Sequence, residues 1–285
     1  ELFKQILTKE VRKVYKEIAF DFLIGLPGQT TESIAITCDK IIELKPTLVQ
    51  LSLMAYKPWV AKYQIKMLAE GPLPDFLERK ELLEVINKKL SAGGYIRSGF
   101  ECYSLPDSPM TKAFEDGTAH YGASGHQTGG PVNFIAVGSS ATSNLGDDYY
   151  SQNFYDIASY KKFLDQGKLP TFRGMKLSKD DQIRQHATQQ LRSYFKIDFK
   201  NFEKNFGVDI KEYFSKEIEY LNGMIKDGLV IVSDDGIEMT LLGRDFSQNI
   251  SNVFDKYDPP AKSYNERLAT IKKAKAEQAK FQELI

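Results

Sequence analysis

Asp21 stands alone among apolar neighbours in the run from Ile18 to Ile24, and that run ends at Gly25-Leu26-Pro27-Gly28-Gln29-Thr30. A carboxylate inside an apolar strand costs free energy unless it is paired, hydrogen-bonded or turned towards a ligand. A ribose hydroxyl or an amino group would suit it; a buried arginine partner is the structural alternative. Glycines at a strand end let backbone N–H groups approach a ligand, and the N-terminus of a following helix favours an anion. The turn is not a nucleotide P-loop, because no lysine follows the second glycine. An ordinary strand-to-helix turn would carry the same residues.

A second stretch, Ala136-Val137-Gly138-Ser139-Ser140-Ala141-Thr142, again sets small residues at a strand end. There they make room for something bulky or for close backbone packing. Cys102, His120 and His126 have metal-ligating side chains, but their spacing matches no common zinc pattern and no fourth ligand is evident. Cys38 falls on the apolar face of a helix and reads as core. His186 shares its helix with Arg184 and Arg192 and reads as surface.

The elements that must position these residues alternate in the first half. Ile18 to Ile24 reads as a buried parallel strand. Thr30 or Thr31 caps a helix carrying Ile34, Ile41, Ile42 and Leu44, which stops before Pro46. Leu48 to Ala55 is a second strand, and Asp75 to Leu90 is a helix that Gly93-Gly94 terminates. Tyr95 to Tyr103 and Asn133 to Val137 are further strand candidates. This rhythm predicts an α/β layer with parallel strands. Asp116 to Pro131, with five glycines and three small hydroxyl residues, reads as a loop. From about Gln152 the pattern turns helical: Tyr155 to Leu164, a helix capped by Ser178, and Lys211 to Lys226. A hairpin follows, Leu229 to Ser233 and Ile237 to Thr240, turned at Asp234-Asp235-Gly236. That order is winged-helix-like. Beyond Pro259-Pro260 the charged stretch from Asn265 to Leu284 reads as an exposed helix.

Composition narrows the function classes. Hydrophobic residues make up 42% of the 285 and charged residues 27%, a globular balance, and 38 basic residues offset 38 acidic ones. The winged-helix-like segment from Lys211 to Lys256 holds five bases against nine acids, so its field repels phosphates and nucleic acid is not an expected partner. No apolar run approaches the roughly 18 residues that span a bilayer, and no membrane association is expected. Two cysteines cannot build a disulfide framework, which fits a reducing cytoplasm. The chain opens on Glu1-Leu2-Phe3-Lys4 with no methionine and no charged leader before an apolar stretch, so it reads as a piece of something longer.

The motifs also occur in an order shared with a known family. Phe20-Asp21-Phe22-Leu23-Ile24-Gly25-Leu26-Pro27-Gly28-Gln29-Thr30 is similar to the Asp-Leu-Ile-Tyr-Gly-Leu-Pro-x-Gln-Thr segment of oxygen-independent coproporphyrinogen III oxidases. Gly138-Ser139-Ser140-Ala141-Thr142-Ser143, Tyr150-x-Gln152-Asn153 and Arg173-Gly174-x-x-Leu177-x-x-Asp180-Asp181-x-x-Arg184 recur in the family's order. So do Lys226-Asp227-Gly228-Leu229-Val230, Thr240-x-x-Gly243-Arg244 and Asn249-x-x-x-x-Phe254-Asp255. The resemblance runs from Ala19 to about Tyr257.

It implies an α/β fold: the C-terminal part of a radical S-adenosylmethionine (SAM) barrel over residues 1–150. A mostly helical, winged-helix-like domain with a short hairpin would follow over 151–258, then a helical tail over 259–285. It implies oxidative decarboxylation of two propionates of coproporphyrinogen III to vinyls, in haem biosynthesis. The implied cofactors are SAM and a [4Fe–4S] cluster held by three cysteines, which reduces SAM to a 5′-deoxyadenosyl radical. On the matched motifs, Asp21, with Gly25 and Gly28, falls among SAM-binding positions. Ala55 falls beside a second SAM, and Thr142 on a position lining the first. A porphyrinogen substrate, an unnamed electron donor and acceptor, and a monomer are the implied partners and state.

Departures accompany the match. The family's Cys-x-x-x-Cys-x-x-Cys motif is expected upstream of Glu1, with roughly the first four barrel strands. The family's Met-Asp-His-Phe-Ala becomes Phe100-Glu101-Cys102-Tyr103-Ser104, and His-Arg-Asn-Phe-Gln-Gly-Tyr becomes His120-Tyr121-Gly122-Ala123-Ser124-Gly125-His126. A paralogue acting on another substrate stays open, as do a haem-binding chaperone and a radical SAM methyltransferase on the same scaffold. This fragment alone is expected to be inactive.

Overall fold

Thr30 and Asp75 each accept hydrogen bonds from the first turn of the helix that follows, and each is answered by a residue three positions on, Ser33 and Glu78. These reciprocal caps start the two long helices of the first half. The computed structural model describes residues 2–56, 62–122, 125–129, 133–146 and 148–257. The chain divides into two compact units, Glu1–Lys112 and Ala113–Pro259. The stretch read as a helical tail lies outside the described residues.

In the first unit, α1 (Leu2–Ile6) and α2 (Lys9–Val14) lead into β1 (Ala19–Ile24), α3 (Thr31–Leu44) and β2 (Leu48–Leu53). A 3₁₀ segment (Lys62–Glu70), α4 (Phe76–Ala92), β3 (Ile96–Arg97), β4 (Cys102–Ser104) and α5 (Pro109–Glu115) follow. The sheet order is β1-β2-β4-β3. β1 and β2 are parallel, in register from Ala19 opposite Leu48 to Ile24 opposite Leu53. The predicted third strand is instead a short antiparallel pair, β3 with β4, and β4 also runs antiparallel to β2. The left-handed Gly99 (φ +132°) and Glu101 (φ +55°) turn the chain back within that stretch.

Phe22 and Ile24 of β1 and Val49 and Leu51 of β2 pack against Ile34, Cys38 and Ile41 of α3 and Leu82, Ile86 and Leu90 of α4. Tyr95 closes the end of this core and donates its hydroxyl to Pro46 O at 2.7 Å. The other face of β1 is open, with Ala19, Asp21 and Leu23 exposed. The reading of β1 as a strand buried on both faces is therefore corrected. Exposed Leu23 sits on the open face and gives a half-buried strand a continuous apolar spelling.

The second unit holds a hairpin, β5 (His120–Gly122) with β6 (Gly125–Gln127), inside the stretch read as a loop. A three-stranded antiparallel sheet follows, β7 (Thr142–Leu145), β8 (Tyr149–Asn153) and β9 (Thr171–Lys176), with α6 (Ile157–Asp165) between its last two strands. The strand expected over Asn133 to Val137 is reduced to one bridge, Phe134 with Asn144. Next come α7 (Lys179–Tyr194), β10 (Lys196–Asp198) and α8 (Phe199–Phe206). The stretch read as one helix from Lys211 to Lys226 is three short ones, α9 (Ile210–Tyr213), α10 (Ser215–Tyr220) and α11 (Asn222–Lys226). The breaks fall at Phe214 and Leu221, both fully buried. β11 (Val230–Val232) and β12 (Gly236–Met239) form the expected hairpin, with β10 as a third strand beside β12, and α12 (Ser247–Ser251) ends the set. Ile183, Ala187 and Leu191 of α7 pack with Phe195, Phe202, Phe214, Ile237 and Phe254 in the second core.

Candidate functional site

The parallel pair β1 and β2 ends at the glycine bend and at Ala55, two of the positions that the family motifs mark. In such α/β units, ligands bind outside the carboxyl ends of the strands. Met54 N donates to Ile24 O at 2.7 Å, which extends the β1–β2 pairing one step and sets Ala55 one residue beyond it. Ala55 is exposed, and its carbonyl accepts from Gln64 Nε2 at 3.1 Å. Gly25 and Gly28 both adopt left-handed backbone, φ +89° and +74°. A Cβ at Gly25 would touch Met54 Cβ at 3.6 Å and Arg79 Nε at 3.7 Å, whereas one at Gly28 would enter open space. A cavity of about 320 Å³ lies beside Gly28, walled by Thr31, Pro72, Pro74 and Leu82.

Asp21 is not buried against an arginine. Its carboxylate is exposed, opposite Gln50 in the sheet register, and has no hydrogen-bond or ion-pair partner among the described residues. The burial cost inferred for it does not arise. What remains is a free acceptor four residues before Gly25, beside a cavity distinct from the one at Gly28.

Several of the N–H groups of the bend and the helix start are engaged within the protein. Gly25 N and Leu26 N both donate to Gln29 Oε1, at 2.7 and 3.0 Å, and Gln29 Nε2 donates to Leu23 O at 2.9 Å. At the helix start Ser33 N donates to Thr30 Oγ1, and Thr30 N donates to Ser33 Oγ. These four backbone donors are already satisfied. Gly25 contributes the path of the chain and the missing side chain, not its N–H group. Gln29 was present in the motif but had no role assigned; only the folded turn reveals it.

Thr142 lies on β7, in the second unit, opposite Gln152. The small-residue stretch before it is tied down by the next matched motif: Asn153 Nδ2 donates to Gly138 O at 2.9 Å and Gln152 Nε2 to Ser140 O at 3.1 Å. Arg173 then reaches Gln152 Oε1 at 2.9 Å and Tyr155 Oη at 3.0 Å. Three motifs separated in sequence thus form one hydrogen-bonded cluster. Gly174 belongs to it because a Cβ there would press on Tyr150 O at 3.2 Å.

The Asp180-Asp181-x-x-Arg184 motif is a structural clamp. Arg184 bonds Asp180, Glu217 and Phe254 O, while Lys256 pairs with both aspartates. Burial alone would raise the Asp181 carboxyl, but hydrogen bonds from Lys256, Ser178 and Tyr257 hold it well below the usual carboxylate range. A cavity of about 350 Å³, lined by Tyr150, Met175, Leu177 and Tyr257, adjoins the clamp.

Neither cysteine suits an iron–sulfur cluster, whose ligands are thiolates. Burial, with the nearby Asp39, pushes the Cys38 thiol up to about 11, and burial pushes Cys102 up to about 12. Cys102 is hidden on β4 with its sulfur 3.4 Å from Ser98 Oγ. His120 and His126 are buried on the β5–β6 hairpin, where His120 Nε2 lies 3.3 Å from Gln189. Among the described residues no group of three His, Cys, Asp or Glu side chains is placed to hold a metal, and no helix is long and apolar enough to cross a membrane.

Residues 177–246 match the HemN C-terminal domain. The oxygen-independent coproporphyrinogen III oxidase of Pseudomonas aeruginosa is 35% identical over 245 residues, covering 86% of this chain and 53% of that protein. Its counterpart in Escherichia coli K12 is 31% identical, covering 85% and 54%. The chain is a relative of these oxidases. A solved structure described as coproporphyrinogen III oxidase (HemN) from Escherichia coli, a radical SAM enzyme, superposes with a TM-score of 0.80 at 28% identity, over 90% of this chain and 58% of that one. The chain spans about half the length of the curated oxidases it matches.

Proposed function

We propose that this chain forms part of a radical SAM enzyme of the oxygen-independent coproporphyrinogen III oxidase type, acting on a porphyrinogen in haem biosynthesis. The observation that carries the reading is the likeness to such oxidases along 85–86% of the chain. On this reading residues 1–150 would be part of a (β/α) barrel and residues 151–258 a winged-helix-like C-terminal domain, working as a monomer in the cytoplasm.

S-adenosylmethionine, when bound, would supply the deoxyadenosyl group with which such enzymes take a hydrogen atom from substrate. Asp21 has the free carboxylate to accept from ribose hydroxyls or an ammonium group. Gly28 and Ala55 keep bulky side chains off their own positions, while Gly25 lets Met54 and Arg79 approach the bend. Thr142 enters from the family motif alone. The cysteines of this chain do not fit the [4Fe–4S] cluster, and a cysteine triplet of the family's type would have to hold it.

The test is calorimetric titration of the chain with SAM, followed by an anaerobic assay of an enzyme assembled from this chain and a segment bearing the cysteine triplet. SAM binding that Asp21→Ala weakens, with propionate decarboxylation by the assembly, is expected. Haem binding without SAM binding would point to a chaperone, and a methylated product to a methyltransferase.

A further inference from the structure

We infer that Gln29 is a positioning residue, whose side-chain amide holds the turn after β1 in its ligand-binding shape; the inference rests on the SAM site proposed above. The even-numbered residues of β1 face β2: Leu48 N donates to Ile18 O at 3.2 Å and Met54 N to Ile24 O at 2.7 Å. The odd-numbered residues therefore direct their backbone groups to the opposite edge. Leu23 C=O and Gly25 N–H lie on that edge, and both are answered by Gln29: Nε2 donates to the first at 2.9 Å and Oε1 accepts from the second at 2.7 Å. One side-chain amide thus stands where a neighbouring peptide unit would stand. Oε1 also takes Leu26 N–H at 3.0 Å, just where the chain leaves the sheet.

The consequence is mechanical. Gly25 and Gly28 occupy left-handed backbone, which glycine enters without steric cost but also leaves readily. Three hydrogen bonds from a single side chain choose one of the many paths open to a Gly-x-x-Gly bend. That choice fixes how the chain leaving β1 at Gly25 meets the chain leaving β2 at Met54 and Ala55. Thr30 and Ser33 satisfy the helix start by themselves, so α3 stays capped when Gln29 is changed, and the effect is local to the turn.

The test uses the full chain with Gln29→Met, which keeps length without hydrogen bonds, and Gln29→Glu, which keeps the acceptor. SAM affinity, melting temperature and hydrogen exchange at the Gly25 and Leu26 amides are measured together. Expected is affinity about tenfold weaker in Gln29→Met, with both amides deprotected, the melting temperature near wild type, and partial recovery of affinity and protection in Gln29→Glu. Wild-type affinity in Gln29→Met, or affinity falling only in step with melting temperature while the two amides stay protected, would overturn the inference. Should the wild-type chain fail to bind SAM, the proposed site falls with that result. Amide protection then decides alone whether Gln29 holds the turn.

Discussion

Asp21 keeps a bare carboxylate on the open face of its sheet, whereas Asp181 accepts from Ser178, Tyr257 and Lys256 at the head of α7. Asp181 is therefore a carboxylate whose ionisation matters for stability. Its folded-state pKa is lowered, so its contribution is complete above the unfolded value of about 3.9 and is lost as pH falls through the folded value. Urea midpoints should drop as pH falls from about 5 towards 2, and Asp181→Asn should flatten that limb. At pH 7, Asp181→Ala should cost on the order of 1–3 kcal/mol, because a capping-box acceptor and its hydrogen bonds go together. The thiols give a second residue-scale expectation. With Cys38 and Cys102 buried and their pKa values raised to about 11 and about 12, neither should be alkylated by iodoacetamide near pH 8 until urea is added. Stoichiometric labelling of the native chain, read by mass spectrometry, would contradict the packing described. Sequence pattern alone located Asp21 and the glycine bend, since a lone acid in an apolar run and a Gly-x-x-Gly turn are local signals. It misjudged the acid's surroundings, because Leu23 on the open face looks the same on paper as Ile24 in the core.

Glycines separate two kinds of element. At Gly243 a Cβ would collide with Leu229 O, and at Gly236 with Ile197 O, where β12 packs beside β10. Gly28 faces open space and carries only the cost of φ +74°. Gly243→Ala should therefore lose more than about 3 kcal/mol, and Gly28→Ala about 1 kcal/mol; equal losses in chemical denaturation would argue against the close approach. The elements legible in sequence were those with explicit boundary residues: α3 behind Thr30, α4 between Asp75 and Gly93, α7 behind Ser178. Those missed had none. β10 is three residues long, β9 is exposed along its whole length and shows no alternation, and the breaks between α9, α10 and α11 follow from burying Phe214 and Leu221 rather than from any glycine or proline.

At the scale of the molecule, each unit keeps its own core: one draws on residues from Phe22 to Tyr103, the other from Ile183 to Phe254. Ile86→Ala, at a fully buried site, should cost about 2–5 kcal/mol. In urea it should move one unfolding step and Asp181→Ala the other, followed by fluorescence and circular dichroism; a single step shifted by both would mean the units unfold as one. Strand β1 has a last consequence. It ends the sheet order, and below the Gln29 cap the outward backbone groups of Ala19 and Asp21 belong to a strand with no neighbour on that side among the described residues. Such an edge is a template for adding a foreign strand. Concentrated solutions of the chain should therefore scatter light progressively, and a lysine in place of Leu23 should delay the onset by making the edge costly to cover.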